Sequence, residues 1–196
     1  MRAGIKVTMP RTGYVSKSQA IKQVSYGTAM GLNRVALDVK DVNEDDLPKV
    51  FDRPTPFTSR AFAVLRASSR RLESIVLVKD AQASYLSIQD DGGTRTPKRK
   101  AIVVPGSVKT NKYGNMTRGK IAQVLRRKDT FSANINGTAG IWQRSKSGAL
   151  QLLVLFTSEA KYSPRFKFAQ RSIKEATRTS ARRIEQEIRK AFLTSK

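Results

Sequence analysis

The sequence predicts an α+β fold: an antiparallel or mixed β-sheet flanked by a long N-terminal helix and a long C-terminal helix, with an extended basic loop. Three observations carry this. Apolar and small residues recur at three- and four-residue steps from Ser16 to Val39, and again from Phe166 to Phe192. Short apolar runs bounded by Gly, Pro and Asp lie between those stretches. The order helix, strands with small helices, strands, helix is an α+β arrangement. The reading is a single α+β domain over residues 1–196, with an inserted or arm region at about 50–105.

Taken in order, Ile5, Val7 and Met9 alternate and suggest a short extended start. The first helix follows from Ser16, with Ser16 or Ser18 as N-cap. Its face holds Ala20, Val24, Gly27, Gly31, Leu32, Val35, Ala36 and Val39. Glycine costs helix propensity, so Gly27 and Gly31 make sense where another backbone packs closely. Pro48 and then Pro54-Thr-Pro56 should end the helical region. Residues 60–79 read as strands, with Ile75 to Val78 a buried run. Ala81 to Gln89 reads as a short helix, and Asp90 to Pro97 as a loop. A strand from Ala101 to Val104 is stopped by Pro105-Gly106, and 107–117 is expected to be polar and mobile. Arg118 to Lys128 reads as a basic helix with Ile121, Val124 and Leu125 inward. Thr130 to Ile135, Gly140 to Arg144 and Leu150 to Thr157 form an antiparallel meander. Ser163 as N-cap and Pro164 at the first helical position open the last helix. Its expected apolar face is Phe166, Ala169, Ile173, Ala176, Ile184, Ile188 and Phe192.

Composition narrows the chemistry. The 196 residues include 38 Lys+Arg and 15 Asp+Glu, a net charge of +23 with no histidine. The absence of cysteine excludes disulfide scaffolds, thiolate nucleophiles and Cys-type zinc sites. The absence of histidine removes the Ser-His-Asp triad and the commonest metal ligand. No apolar run reaches the roughly 18 residues of a membrane span. The opening MRAGIKVTMP lacks the apolar core of a secretory signal, so a soluble, intracellularly made protein without a membrane partner is expected.

The candidate motifs are weak for catalysis. Gly114 to Ile121 nearly spells a phosphate-binding loop, but Ile121 stands where that loop needs a hydroxyl on Mg²⁺. A loop and a helix start explain it better. Glu159-Ala-Lys161 after a strand resembles a metal-dependent nuclease pair, yet no upstream carboxylate joins it to hold a metal. We therefore expect no catalytic residue, no metal and no cofactor. The acidic patch Asp38, Asp41, Glu44, Asp45 and Asp46 admits three readings. It is a solvated helix end, a hard-cation site with the wrong spacing for a calcium loop, or a surface that pairs with a basic face of a neighbouring copy.

Basic clusters are the largest signal. They comprise Arg66, Arg70 and Arg71; Arg95, Lys98, Arg99 and Lys100; Arg118, Lys120, Arg126, Arg127 and Lys128; and Arg178, Arg182, Arg183, Arg189 and Lys190. Each cation that displaces a counterion from a phosphate adds salt-dependent, sequence-independent affinity. Arg95, Lys98, Arg99 and Lys100, with Arg126, Arg127 and Lys128, are the candidate groups facing DNA or an acidic partner. No zinc-finger spacing, RNA-binding strand motif or helix-turn-helix is present to read sequence. Trp142, the only tryptophan, is either a core or sheet-edge aromatic or, if exposed beside Arg144, an interface anchor.

Two segments carry a resemblance. Ala29-Met-Gly-Leu-Asn33-Arg34-Val-Ala36 resembles the Ala-x-x-x-Asn-Arg-x-Ala pattern of tailed-phage minor tail protein Z. Gly140-Ile-Trp-Gln-Arg144, a turn and Leu150 to Phe156 resemble the late strand pair of that family and of related neck and tail-completion proteins. The closing basic, Phe-containing helix is similar to theirs, so the likeness covers about the first 40 and the last 65 residues and omits 50–105. The resemblance implies a non-enzymatic virion structural protein at the head–tail junction or tail. Such a protein, made in the host cytoplasm, forms a homo-oligomeric ring that joins or closes the tail around the DNA channel. Its implied partners are portal, connector or tail-tube proteins and the genomic DNA. In that setting Gly27, Gly31, Asn33 and Arg34 would pack against the sheet or a neighbouring subunit, and Trp142 and Arg144 would stabilise the sheet and an interface. The alternative is a free, sequence-independent nucleic-acid-binding protein.

Overall fold

The computed structural model describes residues 16–98 and 100–194. The expected extended start at Ile5, Val7 and Met9 lies outside these residues, as does Arg99. The fold is α+β, with long helices near both ends of the chain and antiparallel strands in the sequence between them. The helices are α1 (Lys17–Val50), α2 (Pro56–Ser59), α3 (Asp80–Asp91), α4 (Lys120–Leu125) and α5 (Phe168–Thr194). The strands are β1 (Phe62–Leu65), β2 (Ile75–Val78), β3 (Gly93–Arg95), β4 (Ile102–Pro105), β5 (Thr130–Ile135), β6 (Thr138–Arg144), β7 (Leu150–Thr157) and β8 (Ala160–Tyr162). The chain divides into two compact units. One holds residues up to Asp38, Val64–Ile75 and Ala176 onward; the other holds Val39–Ala63 and Val76–Glu175. The segment 50–105 thus supplies the outer β1–β2 hairpin to the first unit and α2, α3, β3 and β4 to the second.

The first unit is built on close helix approach. Ser16 opens α1 with a capping box: its Oγ accepts from the Gln19 amide at 3.3 Å, and the Gln19 side chain accepts from the Ser16 amide at 3.1 Å. Gly27 and Gly31 then face α5. A Cβ at either would stand 2.5 Å from the Cα of Ile188 or Ile184, so the missing side chains let the two helix backbones touch. Ala29, Val35, Ala36, Ala67, Thr179 and Ala191 are buried in this unit, most of them small.

Large apolar side chains hold the second unit. Leu47, Ala61, Phe62, Leu86 and Phe166 form one core cluster, with Phe51, Val78, Tyr85 and Phe168 packed against it. Ring centroids in the Phe51, Phe62, Phe166 and Phe168 set lie 5.7–6.1 Å apart, within the favourable aromatic range. A four-stranded antiparallel sheet of order β4-β7-β6-β5 carries the other cluster, Val108, Val124, Ile141, Leu153 and Val154. β3 pairs with β8.

Several sequence expectations are corrected. α1 does not stop at Pro48 but runs to Val50. The proline forfeits one helical hydrogen bond in the last turn, while Leu47 and Phe51 on either side enter the aromatic cluster. α5 begins at Phe168, not at Ser163-Pro164. Phe166 is fully buried, and the amides of Arg165 and Phe166 both donate to the Gln89 carbonyl. That extended docking delays the helix until Lys167, at φ 52°, turns the chain, and Asp90 Oδ1 accepts from the Phe168 amide at 2.6 Å. The cap comes from α3 and not from the local serine.

The inward stripe of α5 also differs. Ala169 and Ile173 are exposed, Ile173 by 67%. In the second unit Arg171 and Ser172 point inward instead, toward the fully buried Asn43. Part of the expected Asp90–Pro97 loop is helix and part is β3. Leu125 is 44% exposed because α4 has only six residues and its inward side is taken by Val124. Residues 107–117 are docked. The Ser107 and Val108 amides donate to the Leu152 and Leu153 carbonyls, and the Asn111 side chain accepts from the Tyr113 and Asn115 amides.

Candidate functional site

The sequence-predicted residues fall into packing groups and charge groups. Asn33 is a clamp. Its Nδ2 donates to the Ala67 carbonyl at 3.0 Å and its Oδ1 accepts from the Ala67 amide at 2.7 Å. One side chain thereby satisfies both backbone groups of a residue in the outer β1–β2 hairpin, as a neighbouring strand would. Arg34 lies 3.6 Å from Glu187 of α5. The face of Gly27 and Gly31, expected against the sheet or another subunit, packs on α5 of the same chain. The small residues allow no wider separation to be filled by side chains, so the contact is helix on helix.

Trp142 sits on β6 between Phe131 of β5 and Leu152 of β7, at a bulge in the β6–β7 ladder. It is half-buried, its indole Nε1 is enclosed without an acceptor, and it behaves as a sheet aromatic. Gly140, one residue before the bulge, lets β7 come close: a Cβ there would strike the Val154 carbonyl. The Arg144 guanidinium lies 5.7 Å from the centre of the Phe131 ring.

The acidic patch is largely satisfied within the chain. In the first unit Arg183 grips Asp38 with two bonds of 2.7 and 2.8 Å. In the second, Arg171 pairs with Asp46, and Lys40 reaches Glu44 at 2.7 Å. Asp41 and Asp45 remain exposed. The arginines of α5 thus supply the positive charge that a neighbouring copy would otherwise bring.

The expected polyanion-facing groups lie in the second unit at two separate places. Arg95 is on β3, and Lys98 and Lys100 lie in the connection to β4. Arg126, Arg127 and Lys128 join α4 to β5. β4 and β5 are the opposite edges of the four-stranded sheet, three strand spacings or about 14 Å apart. β4 starts opposite Thr157, whereas β5 starts opposite Gln143, which pairs with Gln151. The first residues of β4 and β5 are therefore also about 20 Å apart along the strands. The basic groups beside them occupy diagonal corners and do not form one patch.

Arg127 is not a free cation. It holds Asp129 through bonds of 3.0 and 2.7 Å, and Gln143 donates to the same carboxylate at 2.8 Å. The Arg127 hydrogen bond keeps the Asp129 carboxyl below its usual range against the opposing effect of desolvation, and Gln143 adds to the lowering. Its role is to pin the turn to β6. Arg95, Lys98, Lys100, Arg126, Lys128 and Arg144 form no ion pair among the described residues.

The motifs weighed for catalysis lie in turns and at a helix start. Gly114 lies in the Asn111 turn, Gly119 precedes α4 at φ 78°, and Lys120 donates to Gln123. No strand leads into this segment directly. Glu159 lies in the β7–β8 turn, 3.9 Å from Lys161. Sequence reasoning missed Arg53, which holds Asp52 by 2.8–3.1 Å bonds at φ 47°, and the Asn111 turn that presents Tyr113. The Asn-x-Tyr-Gly-Asn spelling of that turn was a usable signal. No helix among the described residues is long and apolar enough to cross a membrane. No protein-family model, no curated protein and no solved structure matches the chain.

Proposed function

We propose that this chain is a non-enzymatic structural protein of a tailed-phage virion, placed at the head–tail junction or tail end. There it would assemble as a homo-oligomeric ring around the DNA channel, against portal, connector or tail-tube proteins. The observation that carries the proposal is the use made of the Ala29–Ala36 motif. Ala29, Gly31 and Ala36 are buried, Asn33 clamps Ala67 and Arg34 meets Glu187, so the resembling residues pack the chain's own first unit, which supports a scaffold role for this segment. Charge gives a second support. Acidic groups pair with arginines of α5, while unpaired cations remain at two corners of the sheet. Two separated contact points on each copy suit a ring that surrounds a polyanion from many sides.

The test is the chain's presence in purified particles, with light-scattering mass and negative-stain images of the isolated protein at high salt. A particle component, alone or as a closed ring in solution, is expected. Removing charge at Lys98, Arg99 and Lys100 should then impair head–tail joining or DNA retention with the fold intact. Absence from particles, with stoichiometric binding of free duplex by a monomer, would favour the free nucleic-acid-binding protein instead.

A further inference from the structure

The second unit contains a cavity of about 250 Å³ to which Arg95 alone of the candidate polyanion contacts contributes. Its lining includes Tyr85, Tyr113 and Tyr162, three of the five tyrosines in the chain, together with Arg53, Arg95 and Asn115. These come from four places: the link after α1, α3, the β3–β8 ladder and the Asn111 turn. Of the three tyrosines, Tyr85 also packs against the phenylalanine-rich core cluster, whereas Tyr113 and Tyr162 are not members of it.

Each group has a defined state. Arg53 is neutralised by its two-pronged bond to Asp52, and its guanidinium lies close to Gly114 of the Asn111 turn. It supports the wall. Arg95 is exposed and forms no ion pair among the described residues, so it is the cation available to a ligand. The Tyr85 hydroxyl is engaged with Thr58 at 3.0 Å, which orients that ring. Tyr113 is held by the turn, with the Lys112 ammonium 5.1 Å from its centre. Asn115 adds an amide able to donate and accept. Lys98 and Lys100 follow Arg95 within a few residues.

A planar aromatic face, an amide and an available guanidinium in a basic neighbourhood are the groups that recognise a nucleotide outside a duplex: stacking holds the base and the cation holds its phosphate. We propose that this cavity binds one nucleotide of a single-stranded nucleic acid, with the base against Tyr113 and Tyr162 and the phosphate at Arg95. A base paired within a duplex cannot enter a recess of this size without being unstacked. The site is independent of the virion assignment, because binding in solution is read separately from presence in particles.

The experiment is a fluorescence-anisotropy titration of the whole protein with labelled hexathymidylate, competed by unlabelled hexathymidylate, a stable G·C-rich hairpin duplex, thymidine monophosphate and inorganic phosphate. Saturable binding is expected, displaced by thymidine monophosphate at far lower concentration than by inorganic phosphate. Tyr113→Ala should weaken it about tenfold, Tyr113→Phe should leave it near the original value, and Arg95→Gln should weaken it and reduce the salt slope by about one ion. Far-UV circular dichroism checks that the variants fold, and the exposed Arg95 gives a variant outside any core. Equal loss in Tyr113→Phe and Tyr113→Ala, unchanged affinity in both Tyr113→Ala and Arg95→Gln, displacement by phosphate as effective as by the nucleotide, or preference for duplex would each overturn the proposal.

Discussion

The two units are stabilised in opposite ways. In the first, the interior is made of Ala29, Val35, Ala36, Ala67, Thr179 and Ala191, with Gly27 and Gly31 where α1 meets α5. Little side-chain volume is buried, and cohesion comes from backbone proximity and from the Asn33 clamp. In the second, Leu47, Phe62, Leu86, Phe166, Ile141, Leu153 and Val154 provide bulky cores. The lesson concerns failure. A unit packed by small residues is sensitive to added atoms, whereas a unit packed by large ones is sensitive to their removal.

Four changes probe this contrast, beginning with the largest effect. Phe166→Ala removes a fully buried ring that meets three other phenylalanines and should cost about 3–5 kcal/mol, read as a lower midpoint in urea unfolding. A loss under about 1 kcal/mol would mean that the cluster collapses to fill the space. Gly31→Ala adds one carbon to the first unit. On an exposed helix it would stabilise by about 1 kcal/mol. Here the new Cβ meets the Ile184 backbone, and we expect net destabilisation of about 1–2 kcal/mol. A rise in stability would show that α1 and α5 can part without penalty.

Asn33→Ala comes next. It leaves the Ala67 amide and carbonyl without their partners and should cost about 1–2 kcal/mol, with faster hydrogen exchange at the Ala67 amide. Unchanged exchange there would remove the clamp. The smallest effect belongs to Asp129, a half-buried group at the turn before β5. Its folded pKa is lowered from 3.8, so its contribution to stability is present above that value and is lost as pH falls through the lower folded value. Asp129→Asn should therefore flatten the acid limb of the stability–pH curve below about 4, the ordinary carboxylate range. An identical acid limb in the variant would show that the Arg127 bond does not persist in solution.

Much of this was readable along the chain. Period-2 runs with glycine turns located β5, β6 and β7, because an antiparallel meander is made by local hairpins. The sequence offered Ser16 or Ser18 as the cap of α1, and the structure selects Ser16, which exchanges bonds with Gln19. The start of α5 was not readable. The Ser163-Pro164 signal is valid locally, but burying Phe166 outweighs starting a helix four residues sooner, and the replacement cap, Asp90, is distant in sequence. The inward turn of Arg171 and Ser172 is hidden for the same reason. Their partners, Asn43 and Asp46, lie more than a hundred residues away, and apolar periodicity favours Ile173. The candidate cavity was invisible as well, since its tyrosines are scattered over residues 85–162 and no spacing links them.

By itself the sequence determined the α+β class, the strongly basic surface, the strand meander and the requirement for close approach at Gly27 and Gly31. These follow from local propensity, period and composition, which act within a few residues or on the chain as a whole. Only the tertiary structure decided which backbone meets those glycines, that Asp38 and Asp46 of the acidic patch are answered by α5, that two of the basic groups stand at opposite corners of one sheet, and that tyrosines and Arg95 share a cavity. Such pairings depend on how distant segments close over a core, and the free energy of that closure is written in no single stretch of sequence.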